Sequence, residues 1–260
     1  VIVVEFKEQW IAFTTILRKE IKRFTRIWVQ TLLPPAITMA LYFVIFGKLI
    51  GSRIGEMGGF DYIQFVVPGL IMMAVLTNSY SNVSSSFFSA KFQRSIEEVL
   101  VSPTPNYVIL LGYVLGGVAR GLAIGVMVTI LSLFFTDLPI YSWVITVSIV
   151  VLTAVLFALA GFINAVFANT FDDISIVPTF VLTPLTYLGG VFFSIDLLSD
   201  FWQGVAQLNP ILYMVNAFRY GMLGVSDVNI GVAFSGLVVC VMVLFAIGMH
   251  LLKTGKRLRA

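Results

Sequence analysis

Long apolar runs broken by short polar segments dominate the chain. Six stretches, 27–50, 64–87, 108–135, 143–167, 174–195 and 230–252, are each mostly apolar over more than 20 residues. A helix rises about 1.5 Å per residue, so about 20 such residues cross a hydrocarbon core roughly 30 Å thick. The pattern predicts an all-α integral membrane protein with six transmembrane helices, forming a single transmembrane domain over 1–260. A bundle at 27–252 follows an amphipathic helix at 5–26 and precedes a basic tail at 253–260.

The first element has a helical, non-spanning pattern. Phe6, Trp10, Phe13, Leu17, Ile21 and Phe24 recur at spacings of three and four and share one face. Lys7, Glu8, Arg18, Lys19, Lys22, Arg23 and Arg26 point mostly elsewhere. Such a helix is expected to lie in the membrane interface. Two readings stand for it, a simple anchor and a helix bordering a cytoplasmic partner.

Between the second and third spans, 89–106 carries a shorter version of the same pattern. Phe92, Ile96, Val99 and Leu100 are helically spaced, with Lys91, Arg94, Glu97 and Glu98 as polar neighbours. Pro103 and Pro105 stop the helix before the third span. Segment 196–229 holds an apolar part, 211–222, too short to span. It is expected to dip into the outer leaflet or cap the bundle, as re-entrant helices before the last span.

Composition agrees with a membrane solvent. Hydrophobic residues make up 59% of the chain and charged residues 11%, with a mean hydropathy of +1.00. Soluble domains carry about 25% charged residues. The charge is also sorted by position. With both termini inside, the inner side holds twelve Lys/Arg and the outer side three, Lys48, Arg53 and Arg219. That bias places both termini in the cytoplasm. The basic flanks suit an anionic leaflet rather than nucleic acid. The first long apolar run starts behind a long charged segment and exceeds a signal peptide's apolar core, so it is expected to remain as a span. The one cysteine, Cys240, permits no intrachain disulfide.

Little in the chain suits an enzyme. His250 is the single histidine and has no cysteine or second histidine at metal-ligand spacing, so neither a metal site nor a catalytic residue is expected. Asp172 and Asp173 are the one adjacent carboxylate pair. They fit the start of the fifth span, where they satisfy free N–H groups and the helix dipole. Ala119-Arg120-Gly121 matches part of a phosphatidyltransferase motif without its flanking aspartates. Arg120 is nevertheless a charge inside a span, about 22 Å below the outer boundary at Phe135. It either snorkels to the inner headgroups or lines a cleft. Gly112, Gly116, Gly117, Gly121 and Gly125 surround it and allow close helix approach. Neither Gly47-Lys48 nor Gly255-Lys256 sits in a phosphate-binding loop, which needs an upstream glycine and a following Ser or Thr. Any ATP that drives transport is hydrolysed by another chain.

The ordered motifs resemble the permease subunits of type-2 ABC exporters. They are Pro68-Gly69-Leu70, Glu97-Glu98-Val99-Leu100-Val101-Ser102-Pro103, Phe171-Asp172-Asp173, Pro184-Leu185-Thr186-Tyr187-Leu188-Gly189-Gly190, and Leu208-Asn209-Pro210-Ile211-Leu212-Tyr213 followed by Phe218-Arg219. They cover nearly the whole chain, and the form is that of bacterial stand-alone permeases with a separate ATPase polypeptide. The resemblance implies a homodimer in the bacterial inner membrane with two ATPase subunits, which hold ATP and magnesium. The permease itself binds no cofactor. The resemblance also makes 5–26 a connecting helix and 97–102 a coupling helix, with Phe92, Arg94, Ile96, Glu97, Glu98 and Leu100 facing the ATPase. Asn209, Pro210, Tyr213, Phe218 and Arg219 then belong to outer re-entrant gating helices. The second and fifth spans would line the path at the dimer seam.

Cargo in that family is amphipathic: drug-like, lipid-linked or glycan. Spans rich in Phe, Met, Leu and Val suit such a cargo. A secondary transporter would need paired acidic groups near the midplane, and the spans hold almost none. A scaffold that moves nothing is a third class, in which a displayed coupling segment has no purpose.

Overall fold

The structure is a computed structural model that describes residues 5–255 and Leu258. In the basic tail, Lys256, Arg257 and Arg259 lie outside the described residues. Helix α1 (Phe6–Arg26) leads directly into α2 (Trp28–Tyr42), which loosens into a π-helical stretch, Phe43–Ile50, before α3 (Gly51–Ile54). Strands β1 (Glu56–Met57) and β2 (Phe60–Asp61) pair antiparallel in a minimal hairpin. Gly58 and Gly59 form its turn with φ of +62° and +81°, the left-handed backbone that glycine adopts without penalty.

The remaining helices are α4 (Tyr62–Phe92), α5 (Ser95–Val101), α6 (Asn106–Ser132), α7 (Trp143–Phe167), α8 (Phe171–Ile176), α9 (Thr183–Tyr187), α10 (Asp200–Gln207), α11 (Pro210–Leu223) and α12 (Ile230–Thr254). Five helices among the described residues are long and apolar enough to cross a membrane: Trp28–Ile54, α4, α6, α7 and α12. The segment expected to cross at 174–195 has another form. It consists of α8, a π-helical stretch Val177–Leu182, and α9, and the chain turns after Tyr187. Pro178 and Pro184 each lack an N–H, so the regular ladder of i→i−4 bonds cannot run through them. The pieces run from 171 to 187, about 25 Å of helix.

Helix α4 is the axis of the bundle. It packs along α6 and α7 and against α11, and most of its side chains are buried. The faces of α2 and α12 are largely exposed, as expected of lipid-facing or partner-facing helices. Between Phe65 and Lys91 of α4 the positions left open are Met73, Thr77, Ser81, Ser85 and Ser89, four residues apart and therefore one stripe. Expected as a path-lining span, α4 presents only this narrow face.

Helix α1 does not lie apart from the bundle. Gln9 bonds to Tyr107, Ile16 abuts Gly112 and Glu20 abuts Gly116, so α1 runs parallel to the first half of α6. A Cβ on Gly116 would collide with the Glu20 side chain. The glycines of α6 thus serve two faces, because Gly117 and Gly121 lie against Ser79 of α4. Phe24 and Glu20 are buried in this contact, whereas Phe6 and Trp10 remain exposed at the other end.

Candidate functional site

The chemistry-bearing residues collect in three places: the end of the bundle that carries α5, the opposite end around α11, and a polar seam between α1, α4 and α6.

At the first end, α4 stops at Phe92, and Arg94 adopts a left-handed backbone with φ of +59°. That kink turns α5 away from the axis of α4. Ile96 is fully buried and anchors α5, while Leu100 and Glu97 are half-buried and Glu98, Arg94 and Phe92 are exposed. Exposed Phe92 is not isolated. Its ring lies 5.2 Å from that of Phe171 and 6.1 Å from that of Phe88. So Phe92 of the expected coupling segment meets Phe171-Asp172-Asp173, two motifs about eighty residues apart. Ser102 donates to the Val99 carbonyl at 2.6 Å and closes the helix before Pro103.

Of two residues here, Lys91 acts differently from the sequence reading and Asp173 as that reading predicts. Lys91, read as a polar neighbour of the segment, is buried, and its ammonium donates to the Val166 and Ala168 carbonyls, each at 2.8 Å. It caps the C-terminus of α7, where carbonyls lack helical partners. Asp173 accepts from the Asn169 and Thr170 N–H groups at 2.8 and 3.1 Å, and Thr170 accepts from the Asp173 N–H. This capping box starts α8. The Asn169 N–H bond, followed by those from Thr170, holds the Asp173 carboxyl below the usual carboxylate range.

At the opposite end, the Leu-Asn-Pro…Tyr…Phe-Arg motif starts and fixes α11. Asn209 is the N-cap, accepting from the Ile211 N–H at 3.0 Å, and its amide donates to the Leu185 carbonyl at 2.5 Å. Pro210 occupies the first helical turn, where its missing N–H costs nothing. Tyr213 donates to the Gln207 carbonyl at 2.8 Å. Phe218 is buried.

Arg219, counted among the outer cations, is 1% exposed. It donates to the Gly190 carbonyl at 2.6 Å, the Phe65 carbonyl at 3.2 Å and the Asn216 side chain at 3.4 Å. Its guanidinium also lies 3.8 Å from the centre of the Phe65 ring. One side chain therefore ties α4, α11 and the turn after α9. A cavity of about 480 Å³ opens beside it, lined in part by Glu56, Met57, Phe65, Ser194, Arg219 and Asp227.

The third place contains Arg120, the charge within a span. Its Nη2 donates to Asn78 Oδ1 of α4 at 3.3 Å. One turn further along α4, Asn82 accepts twice from Arg23 of α1, at its backbone and side-chain oxygens, both at 2.8 Å. Glu20 is fully buried, accepts from Ser86 at 2.6 Å and pairs with Arg23 at 3.5 Å. Sequence periodicity missed Glu20, Asn78 and Asn82. Polar residues on a helix give no sign of which neighbour they will meet. The one available signal was the run of Asn and Ser at 77–89 inside an apolar span.

Residues 11–223 match the ABC-2 type transporter family. The chain is 62% identical over 251 residues to the inner membrane transport permease YadH of Escherichia coli (strain K12), covering 96% of this chain and 98% of that protein. It is 23% identical over 249 residues to nodulation protein J of Neorhizobium galegae, covering 94% and 92% of the two chains. Against nodulation protein J of Rhizobium meliloti (strain 1021) the identity is 22% over 245 residues, with the same coverage. The full-length likeness to a transport permease agrees with the apolar bundle and the displayed α5. The chain belongs to the ABC-2 type transporter family.

Proposed function

We propose that this chain is the membrane-spanning half of an ATP-driven exporter in the bacterial inner membrane. It works as a homodimer, with two copies of a separate ATPase that hold the ATP and magnesium. The observation that carries the reading is α5. It is a short helix anchored by buried Ile96, turned outward at Arg94, with Phe92 and Glu98 exposed. An exposed apolar residue such as Phe92 with flanking charges is the kind of surface a partner protein grips and reads for register.

In this reading the α5 end and both termini lie in the cytoplasm, as the Lys/Arg bias requires. The rest of α8 from 174, the π-helical stretch, α9 and the turn after it complete a sixth crossing, with the capping box at Thr170 and Asp173 outside it on the α5 side. The hydroxyl stripe Thr77, Ser81 and Ser85 and the α8–α9 face border the path at the dimer seam. Segments α10 and α11 gate its outer end. The cargo is an amphipathic molecule, consistent with an apolar bundle that has one polar stripe. ATP-driven closure of the partner biases the bundle between two states through α5, the element placed to contact it differently in each.

Co-purification tests this directly. The tagged chain is co-expressed with the products of its neighbouring genes and extracted in mild detergent. An ATPase recovered at one-to-one stoichiometry, with vanadate-sensitive activity, supports the reading. Recovery of the chain alone across several detergents overturns it.

A further inference from the structure

We propose that Arg120 and Arg23, with the amides of Asn78 and Asn82, form a site for the phosphate headgroup of an anionic amphiphile. That such a molecule is also carried across the membrane rests on the permease reading above.

The argument starts from charge. A guanidinium within a span is costly unless an anion or a set of acceptors accompanies it. Among the described residues both ion pairs use Glu20, with Lys19 and with Arg23. Arg120 has no carboxylate within ion-pair reach. Its one hydrogen bond is to a neutral amide, and its Nε is buried without a partner. The seam thus carries two guanidiniums and one carboxylate, and the uncompensated positive charge belongs to Arg120.

The unmet groups around it are almost all donors. Asn82 Nδ2 and the Ser79 hydroxyl are also buried without hydrogen-bond partners. Asn82 and Ser79 are themselves fully buried. Arg23 Nε and Glu20 Oε2 lack hydrogen bonds as well but face each other as an ion pair at 3.5 Å, so the donors left over are those of Arg120, Asn82 and Ser79. A seam with surplus donors and surplus positive charge is completed by a group rich in acceptor oxygens. Guanidinium groups match phosphate oxygens in a planar, two-point geometry.

Spacing agrees. Asn78 and Asn82 lie four residues apart on one face of α4, so the guanidiniums they hold are separated by about 6 Å along the helix. A phosphate between them meets both. The adjacent stripe of Thr77, Ser81 and Ser85 is the face of α4 left open to the outside of the chain. Depth agrees as well. Helix α4 has 31 residues, about 46 Å, which exceeds the roughly 30 Å hydrocarbon core. Asn82 lies ten residues, about 15 Å, from the α5 end, towards the headgroup boundary on that side.

Native mass spectrometry of the full chain in detergent tests the site. The probes are phosphatidylglycerol, phosphatidylcholine and inorganic phosphate. The unaltered protein should retain phosphatidylglycerol over phosphatidylcholine. Arg120→Gln should lower that retention at least about tenfold, and Arg120→Lys should keep more of it than Arg120→Gln. Displacement of the lipid by inorganic phosphate would support the phosphate chemistry and assign a soluble source. Equal retention of both lipids, or unchanged retention in Arg120→Gln, overturns the proposal.

A photoactivatable phosphatidylglycerol applied to the unaltered protein needs no variant to fold. Cross-links within 77–86 and 116–124 support the site, and cross-links confined to α2 and α12 overturn it. Neither readout involves the ATPase, so loss of the permease reading would show separately, in the co-purification.

Discussion

The ammonium of Lys91 lies 2.8 Å from the carbonyl oxygen of Ala168, joining the end of α4 to the end of α7 in the interior. Lys91 is three residues before the kink at Arg94, so it links the start of α5 to the end of α7. Lys91→Met keeps the stem and removes the donor, leaving two buried carbonyls unmet. The expected loss is about 1.5–3 kcal/mol. Faster hydrogen exchange at 164–170, with little change at α11, is the signature to look for. Unchanged exchange there would show that α7 is capped by other means.

Reversing the charge at α5 addresses coupling. Glu98 is exposed and Glu97 half-buried at the displayed end, so Glu97→Lys with Glu98→Lys leaves the bundle's packing intact. Insertion and thermal stability should stay as they are, while transport and cargo-stimulated ATP hydrolysis by the partner fall. Normal transport in the double variant would count heavily against α5 as the coupling element.

Glu20 and Arg23 pair within α1 on the face set against α4, Glu20 fully buried and accepting from Ser86, Arg23 half-buried and donating to Asn82. Glu20→Ala leaves Arg23 without its counter-ion and Ser86 without its acceptor, a loss of about 1–3 kcal/mol. Glu20→Gln keeps an acceptor for Ser86 and should cost less. Thermal unfolding in detergent ranks the two, and equal stability of all three proteins would mean that the pairing of Glu20 contributes nothing to the fold.

Arg219 sits among carbonyl oxygens, so its substitution acts on folding before it acts on gating. Arg219→Glu places a carboxylate against the Gly190 and Phe65 carbonyls and should abolish recovery of a monodisperse protein. Arg219→Lys retains the charge without the planar fork and should be recovered with lowered thermal stability. A stable, assembled Arg219→Glu protein defective only in export would assign the residue to the exit path.

The pH dependence of α8 follows from Asp173. Its folded-state pKa lies below the usual value, chiefly because the Asn169 N–H bonds to the carboxylate. A depressed carboxylate stabilises the cap above its unfolded value, near pH 4, and that contribution is lost as pH falls through the folded value. Protection from exchange at 169–176, relative to the intrinsic rate at each pH, should therefore fall below about pH 4, and Asp173→Asn should remove that change. An identical profile in Asp173→Asn would assign the acid sensitivity to another group.

Element by element, the apolar runs announced themselves. The span at Trp143–Phe167 begins and ends where hydropathy placed it, because α7 is apolar all round and needs no partner to be recognised. Broken helix at 174–195 was less legible. Pro178 and Pro184 were visible, yet whether a proline kinks, widens or ends a helix depends on what packs around it. The hairpin at Gly58-Gly59 carries a short-range turn signal that a search for spans passes over.

For the candidate site, the sequence by itself determined the membrane class, the positions of the long spans, the amphipathic pattern of α5 and the presence of one charge, Arg120, within a span. These follow from local periodicity and from the cost of leaving polar backbone in hydrocarbon. The tertiary structure alone decided that α1 lies along α6 and that Lys91 caps α7. It also decided that Arg219 is interior and that Arg23, Asn82, Asn78 and Arg120 line one seam. Those outcomes depend on which helix faces approach each other. Glycines at 112, 116, 117 and 121 permit that approach, but close packing of three helices selects the partners, and that selection is a property of the assembled core rather than of any one segment.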